Sequence, residues 1–133
     1  MINLINILQN ISYNTNQSIV FDIDDTLISS KTNQLIPDIF AFYQYCINNG
    51  YNVYIITARS GTINNMNATI KQLRNLGINN YKRLYFRKPD DQRIAYSKKM
   101  ARKHIPHNII LSIGDQPGDI GEYGGIGILL KPT

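Results

Sequence analysis

Apolar residues in this chain come in short bursts, separated by longer stretches in which they recur at helical spacing. Ser18–Asp22 is an apolar run ending in acids, and Asn52–Thr57 is a second such run; both predict buried strands. Arg83–Phe86 predicts a shorter strand, Asn108–Ile113 another, and Gly127–Leu130 a last one. Between them the period changes. Ile39, Phe40, Tyr43 and Ile47 mark one face of a helix over Pro37–Asn49, with Gly50 placed to end it. Ile63, Met66, Ile70, Leu73 and Leu76 mark a second helix closed by Gly77. Asp90–His104 predicts a third, stopped near Pro106, and Met1–Gln17 has room for a short N-terminal helix.

Strands alternating with helices predict an α/β fold, a central parallel sheet covered on both faces in three Rossmann-like layers. At 133 residues the whole chain, 1–133, reads as one domain. In such sheets ligands bind beyond the carboxyl ends of the strands. The polar residues that stand out here fall at those ends: Asp22 and Asp24, Thr57, and Asp115.

Composition refines the picture without changing it. No apolar run approaches the length of a membrane span, and Met1–Asn10 lacks a basic leader, so a cytoplasmic protein is expected. Cys46 stands alone, which rules out an internal disulfide, and its helical position reads as a quiet core thiol. The net charge of +5 is uneven. Eleven Lys or Arg lie between Lys71 and Lys103 against only Asp90 and Asp91, while Asp22, Asp24, Asp25, Asp115 and Asp119 form two tight acidic clusters. A basic face beside carboxylates attracts polyanions such as phosphorylated substrates or nucleic acid; taken alone, it equally describes a solvated lysine-rich surface.

The chemistry concentrates in Ile19-Val-Phe-Asp-Ile-Asp-Asp-Thr-Leu27. In an extended chain Asp22 and Asp24 project together while Ile23 faces away. Two acids at the mouth of an apolar strand repel each other and resist desolvation, a conflict that a metal ion would remove. A lone Asp-x-Asp is more often an Asp-rich turn. Here it stands in a wider constellation.

Phe21-Asp-Ile-Asp-Asp-Thr-Leu27 resembles the first motif of the haloacid dehalogenase (HAD) superfamily, Asp-x-Asp-x-Thr after an apolar strand. Tyr54-Ile-Ile-Thr-Ala-Arg-Ser60 is similar to its second motif, and Ile113-Gly-Asp-Gln-Pro-Gly-Asp119 to its fourth. The Gly-Asp-Gln form, with Leu130-Lys-Pro132 near the end, resembles the plant-type and class B acid phosphatase branch, subfamily III. The resemblance runs from about Ser18 to the C-terminus with the motifs in order, each at a predicted strand end.

It implies a phosphatase working through an aspartyl-phosphate. Asp22 would attack phosphorus; Asp24 would protonate the leaving oxygen and then deprotonate the hydrolytic water. Asp22, the backbone carbonyl of Asp24 and Asp115 would hold Mg²⁺, with Asp119 supporting the site. Thr57 would donate to a phosphoryl oxygen. Thr26 would brace the motif loop near the substrate, while Ala58 and Arg59, with Ser60 behind them, would line the entrance. A carboxylate facing a phosphate dianion at about 4 Å is opposed by roughly 8 kcal/mol at an effective dielectric near 20, so Mg²⁺ and a lysine are needed to offset it. An oxygen-rich site suits Mg²⁺ and not Zn²⁺, and His104 and His107 lack a zinc-site pattern and read as surface residues.

The third-motif lysine has three candidates. Lys98-Lys-Met-Ala-Arg-Lys-His-Ile105 resembles the acid phosphatase branch, in which the lysine is followed by Arg four residues on and an apolar residue seven on; this favours Lys98. Tyr96-Ser-Lys departs from that branch's Tyr-Lys-Ser, Lys88-Pro89 resembles the form used in other branches, and Lys99 stays open. Ser29–Pro37 is too short for a cap domain, and residues 61–87 hold only a helix and a strand, so an open site is expected. Open sites in this superfamily accept macromolecular ends or borrow a lid from another subunit, which leaves a homo-oligomer open. Three functions remain in view: a phosphomonoesterase on a small metabolite or nucleotide, a nucleic-acid end-processing phosphatase, and a degenerate binding or storage protein. Retention of Asp22, Asp24, Thr57 and Asp115 argues against the last. A dehalogenase is disfavoured because carbon–halogen cleavage has no need of Asp24.

Overall fold

Five strands and four helices follow one another in the computed structural model, which describes residues 3–131. In chain order they are α1 (Leu4–Gln9), β1 (Gln17–Phe21), α2 (Pro37–Asn48), β2 (Asn52–Ser60), α3 (Ile63–Asn75), β3 (Arg83–Arg87), α4 (Ile94–His104), β4 (Asn108–Gly114) and β5 (Ile126–Leu129), with a 3-10 turn at Pro117–Asp119. The strands form one sheet in the order β3-β2-β1-β4-β5, and every neighbouring pair is parallel. The expected α/β architecture is therefore present.

The order of the strands explains where the helices lie. From β1 the chain steps outward to β2 and β3, and right-handed crossovers put α2 and α3 on one face. It then crosses back to the far side of β1, which puts α4 on the other. Ile19 and Phe21 of β1 and Val53 and Ile55 of β2 pack with Phe42, Tyr43 and Leu73 in the larger core, which α1 joins through Leu4 and Leu8. Val20, Tyr54 and Ile56 point the opposite way, into a smaller core with Ile105 and Ile109. Both faces of β1 are covered, and all five of its residues are buried.

Local signals set the helix ends. Pro37 opens α2, where its missing N–H costs nothing. Thr62 caps α3 by accepting from the Asn65 N–H at 3.3 Å, and Asn3 caps α1 through Asn6 at 3.1 Å. The predicted third helix begins later than its sequence pattern suggests, at Ile94 and not Asp90. Asp91 accepts from the Arg93 N–H at 2.9 Å, a local turn that competes with helix before Ile94. The N-terminal helix is a single short element; Met1 and Ile2 of its predicted span lie outside the described residues, as does Pro132.

In place of a cap there is a small hairpin. Ile28 bridges Leu35, Ser29 N–H donates to Gln34 O at 2.9 Å, and Ile36 N–H returns to Leu27 O at 2.9 Å. Cys46 is buried in the larger core, and burial pushes its thiol far above the usual range. His107 is less superficial than its sequence context implies, since its Nδ1 lies 2.8 Å from the Tyr54 hydroxyl.

Leu111 is fully buried in the larger core, whereas Leu129 is 45% exposed. Leu111→Ala should lower unfolding free energy by about 2–5 kcal/mol in chemical denaturation, and Leu129→Ala by under about 1 kcal/mol.

Candidate active site

The strand order reverses at β1, so the crevice beyond the ends of β1 and β4 is where ligands bind in sheets of this kind. Asp22 is the first residue past β1, and its N–H donates to Ile113 O of β4 at 3.0 Å, which carries the ladder to the rim of the sheet. Ile23 then turns fully into the core. Its carbonyl accepts from the N–H groups of Thr26, Leu27 and Ile28 at 3.1, 2.9 and 3.0 Å, winding the loop tightly behind Asp22. Asp25 sits at φ 61°, a left-handed position that Asp tolerates, and its carboxylate receives both the N–H and the hydroxyl of Ser30 at 2.8 Å. Those bonds hold the Asp25 carboxyl below its usual value. Thr26, fully buried, lies with its hydroxyl 3.4 Å from Asp22 Oδ2 and braces the loop.

From the opposite face α4 delivers Lys98. Its Nζ donates to Asp22 Oδ1 at 3.0 Å and also to Asp119 Oδ1, and all three side chains are buried. Burial pushes the Lys98 ammonium down, but Asp22 and Asp119 more than offset this and raise it above the ordinary lysine value. Burial likewise raises Asp22, to about 8, with Lys98 opposing the shift and Asp119 adding to it. Lys99 lies outside the same helix over the ring of Tyr96, and Lys88 is exposed in the loop after β3.

The 3-10 turn after β4 brings in the remaining acids. Asp119 Oδ2 accepts from the Gln116 N–H at 3.0 Å, and the Gln116 amide meets Asp115 Oδ2 at 3.3 Å. Oxygens of Asp22, Asp115 and Asp119 all lie within 4.8 Å of one another. Three carboxylates face one ammonium, leaving excess negative charge in a largely dry place. A cation bound by oxygen ligands relieves that excess, so the donor set fits a hard divalent ion. The side chain of Asp24 is outside this group.

Asp22 and Asp24 do not stand face to face without counter-charges, as the bare Asp-x-Asp pattern suggests. Each has its own cation. Arg59 grips Asp24 with two bonds, Nε to Oδ2 at 3.0 Å and Nη2 to Oδ1 at 2.8 Å. The sequence pattern puts Arg59 at the entrance; its guanidinium is instead turned onto Asp24, with Nη1 donating to Thr69 at 3.2 Å and Gln72 at 2.7 Å on α3. The second strand runs past its predicted end to Ser60, so Thr57 is buried within β2, where the register with β3 shifts; its hydroxyl accepts from the Arg59 N–H at 3.1 Å, and the Ala58 carbonyl accepts from Arg87 at 2.9 Å.

One positioning residue was noted in the sequence only as a motif neighbour. Arg102, one turn beyond Lys98, is buried and donates to the carbonyls of Gly118, Ile120 and Glu122 at 2.8, 3.3 and 2.9 Å. It therefore shapes the segment that carries Asp119. The four-residue spacing from Lys98 was the available signal, since it puts both side chains on one helix face.

With this geometry in view, the family comparison is decisive: the HAD superfamily, subfamily IIIB (acid phosphatase), matches residues 28–130. The chain belongs to this family. The match begins just past the Asp22–Thr26 loop. Among solved structures, a chain of the Pnkp1/Rnl/Hen1 RNA repair complex is similar at TM-score 0.74 and 16% identity, over 86% of this chain and 42% of that one. The class C acid phosphatase from Bacillus anthracis is similar at TM-score 0.58 and 22% identity, over 78% and 53%. The same enzyme with tungstate bound gives 0.58 and 19%, over 80% and 54%. This chain thus spans about half the length of the solved chains it resembles, and at these identities they establish the shared fold. No curated protein matches the sequence significantly.

Gly114 precedes Asp115 for a steric reason: a Cβ there would lie 2.2 Å from the Asp119 side chain. Gly114→Ala should displace Asp119 from Lys98 and lower unfolding free energy by about 1–3 kcal/mol in chemical denaturation followed by circular dichroism.

Proposed function

We propose that this protein is a Mg²⁺-dependent phosphomonoester hydrolase acting through an aspartyl-phosphate on Asp22. The observation that carries the reading is the buried contact of Lys98 with Asp22 and Asp119 beside Asp115, at the strand ends of a chain in an acid phosphatase family. Tungstate, an oxyanion of phosphate-like shape, binds one structural relative, which is consistent with the same chemistry here.

Asp22, Asp115 and Asp119 would hold the ion, which when bound would neutralise phosphoryl charge and lower the repulsion that Asp22 meets. The protein's own groups do the rest. Lys98 fixes one oxygen of Asp22, leaving the other to attack phosphorus, and its charge faces the incoming phosphoryl group. As the bond from phosphorus to the leaving oxygen breaks, Asp24 gives that oxygen its proton. Asp24 then takes a proton from the water that attacks the aspartyl-phosphate, which releases inorganic phosphate and restores both acids. Arg59 orients Asp24 through two bonds, one of which gives way while the carboxyl carries the proton, so one carboxyl serves both half-reactions. The Thr57 hydroxyl donates to a phosphoryl oxygen.

Asp115 and Gln116 border a groove of about 1060 Å³ walled by Ile39 and Phe42 of α2 and by Leu130. With only the short hairpin in place of a cap, substrates larger than a metabolite have access. The fold shared with a chain of an RNA repair complex keeps phosphorylated nucleic-acid ends among the substrates this reading admits.

Chelation should abolish hydrolysis of p-nitrophenyl phosphate, and added Mg²⁺ should restore it and raise the melting temperature by relieving carboxylate repulsion. Full turnover in a metal-free preparation would exclude the mechanism.

Asp22→Asn should leave no acid-stable phospho-enzyme and no turnover. Lys98→Ala should lower the single-turnover rate by at least about 100-fold, with Lys88→Ala and Lys99→Ala within about threefold of wild type. Collapse of the chemical step in Lys88→Ala alone would move the motif lysine to that position.

A further inference from the structure

The outer side of α4 is not used by the chemistry above, and it carries an ordered set of cations and rings. Lys98 and Arg102 face the sheet, and Tyr96, Lys99 and Lys103, at i, i+3 and i+7, form a stripe beside them, with Tyr96 and Lys103 exposed and Lys99 half-buried. The guanidinium of Arg93 lies 4.2 Å from the centroid of Tyr96, and Lys99 approaches the same ring at 5.7 Å. One turn further down, Lys103 lies 6.0 Å from the ring of Tyr123 in the loop before β5. Both rings are nearly half exposed, at 43% and 47%. Lys88 is exposed in the loop between β3 and α4, close enough to Asp91 to act on its carboxylate. Nearby acids are few: Asp91 is paired with Arg93, and Asp90 and Glu122 flank the row.

We propose that this face of α4 binds single-stranded nucleic acid, with Tyr96 and Tyr123 as base-stacking platforms and Arg93, Lys99 and Lys103 on the phosphates. A solvated surface has no need of two exposed tyrosines each with a cation against its ring, whereas a single strand offers a flat base and an anionic phosphate in each repeat. Eleven helical residues extend about 16 Å, room for a few nucleotides. The helix starts at the catalytic end of the sheet, since Lys98 in its second turn reaches Asp22. A strand on this track therefore has one end directed at the crevice, which makes a terminal phosphate a natural substrate. That last step rests on the phosphatase reading; the binding surface does not.

The test is fluorescence anisotropy of the full chain with a labelled single-stranded 12-mer lacking a terminal phosphate, at several KCl concentrations. Wild-type protein should bind, with affinity falling steeply as salt rises. Tyr96→Ala should weaken binding about tenfold, and Tyr96→Phe, which keeps the ring, should restore it. Arg93→Gln with Lys103→Gln should reduce the log–log salt slope by about 1.4. In all of these variants p-nitrophenyl phosphate hydrolysis should stay at the wild-type rate. Absence of salt-dependent binding, equal affinity of Tyr96→Ala and wild type, or binding to phosphatidylserine vesicles but not to the 12-mer would overturn the proposal. Binding without any phosphatase activity would instead refute the hydrolase reading and leave the surface standing.

Discussion

A lysine ammonium held between two carboxylates, away from water, is the contact on which the rest of this protein is arranged. Lys98 comes from α4, Asp22 from the end of β1, and Asp119 from the turn beyond β4, so three elements distant in sequence meet at one nitrogen. Buried charges are costly unless paired, and removing any one of the three leaves its partners exposed to that cost. The acids outnumber the cation, so the cluster keeps a negative surplus with Asp115 beside it. A divalent ion held there would neutralise that surplus. It also explains why the inner face of α4 is built from Lys98 and Arg102 with little apolar surface: the helix is located by charge and by hydrogen bonds to backbone carbonyls.

The two acids of the first motif are separated by environment. Asp22 is buried against Lys98, and its pKa is raised toward 8; Asp24 is half-exposed and clamped by Arg59. Two carboxyls two residues apart can take different parts in a reaction only if their surroundings differ in this way. The alternation of an extended chain would leave the two acids on one side; the cations from β2 and α4 separate them. Arg59 is in turn fixed by Thr69 and Gln72, so α3, which supplies nothing to the acidic cluster, still governs the orientation of Asp24.

The faces of the sheet are unequal. Among the described residues three helices build the larger core on one side, and α4, packed against the Pro117–Asp119 turn, covers the other. The exposed side of α4 faces away from both cores, so cationic and aromatic residues such as Tyr96 and Lys103 line it without disturbing them. Much of the uneven charge seen in the sequence is found there, in the β3–α4 segment.

The sequence alone determined the strand–helix alternation and the strand ends followed by Asp22 and Asp115, because burial on both faces writes itself as continuous apolar runs such as Ile19–Phe21; the second strand runs three residues past Thr57, its predicted end. It also determined that Gly50 and Gly77 would close helices, since both adopt positive φ, 82° and 88°, which other residues avoid. It did not determine where α4 starts, because the turn formed by Asp91 competes with helix through side-chain bonds that periodicity does not register. Only the tertiary structure decided which lysine meets Asp22. Lys98 and Lys99 are adjacent and chemically identical, and a rotation of 100° about the helix separates a buried ion pair from a surface residue. The same holds for Arg59, which by position belongs to the entrance and by contact belongs to Asp24: its partners lie 10, 13 and 35 residues away, and only folding brings them within reach.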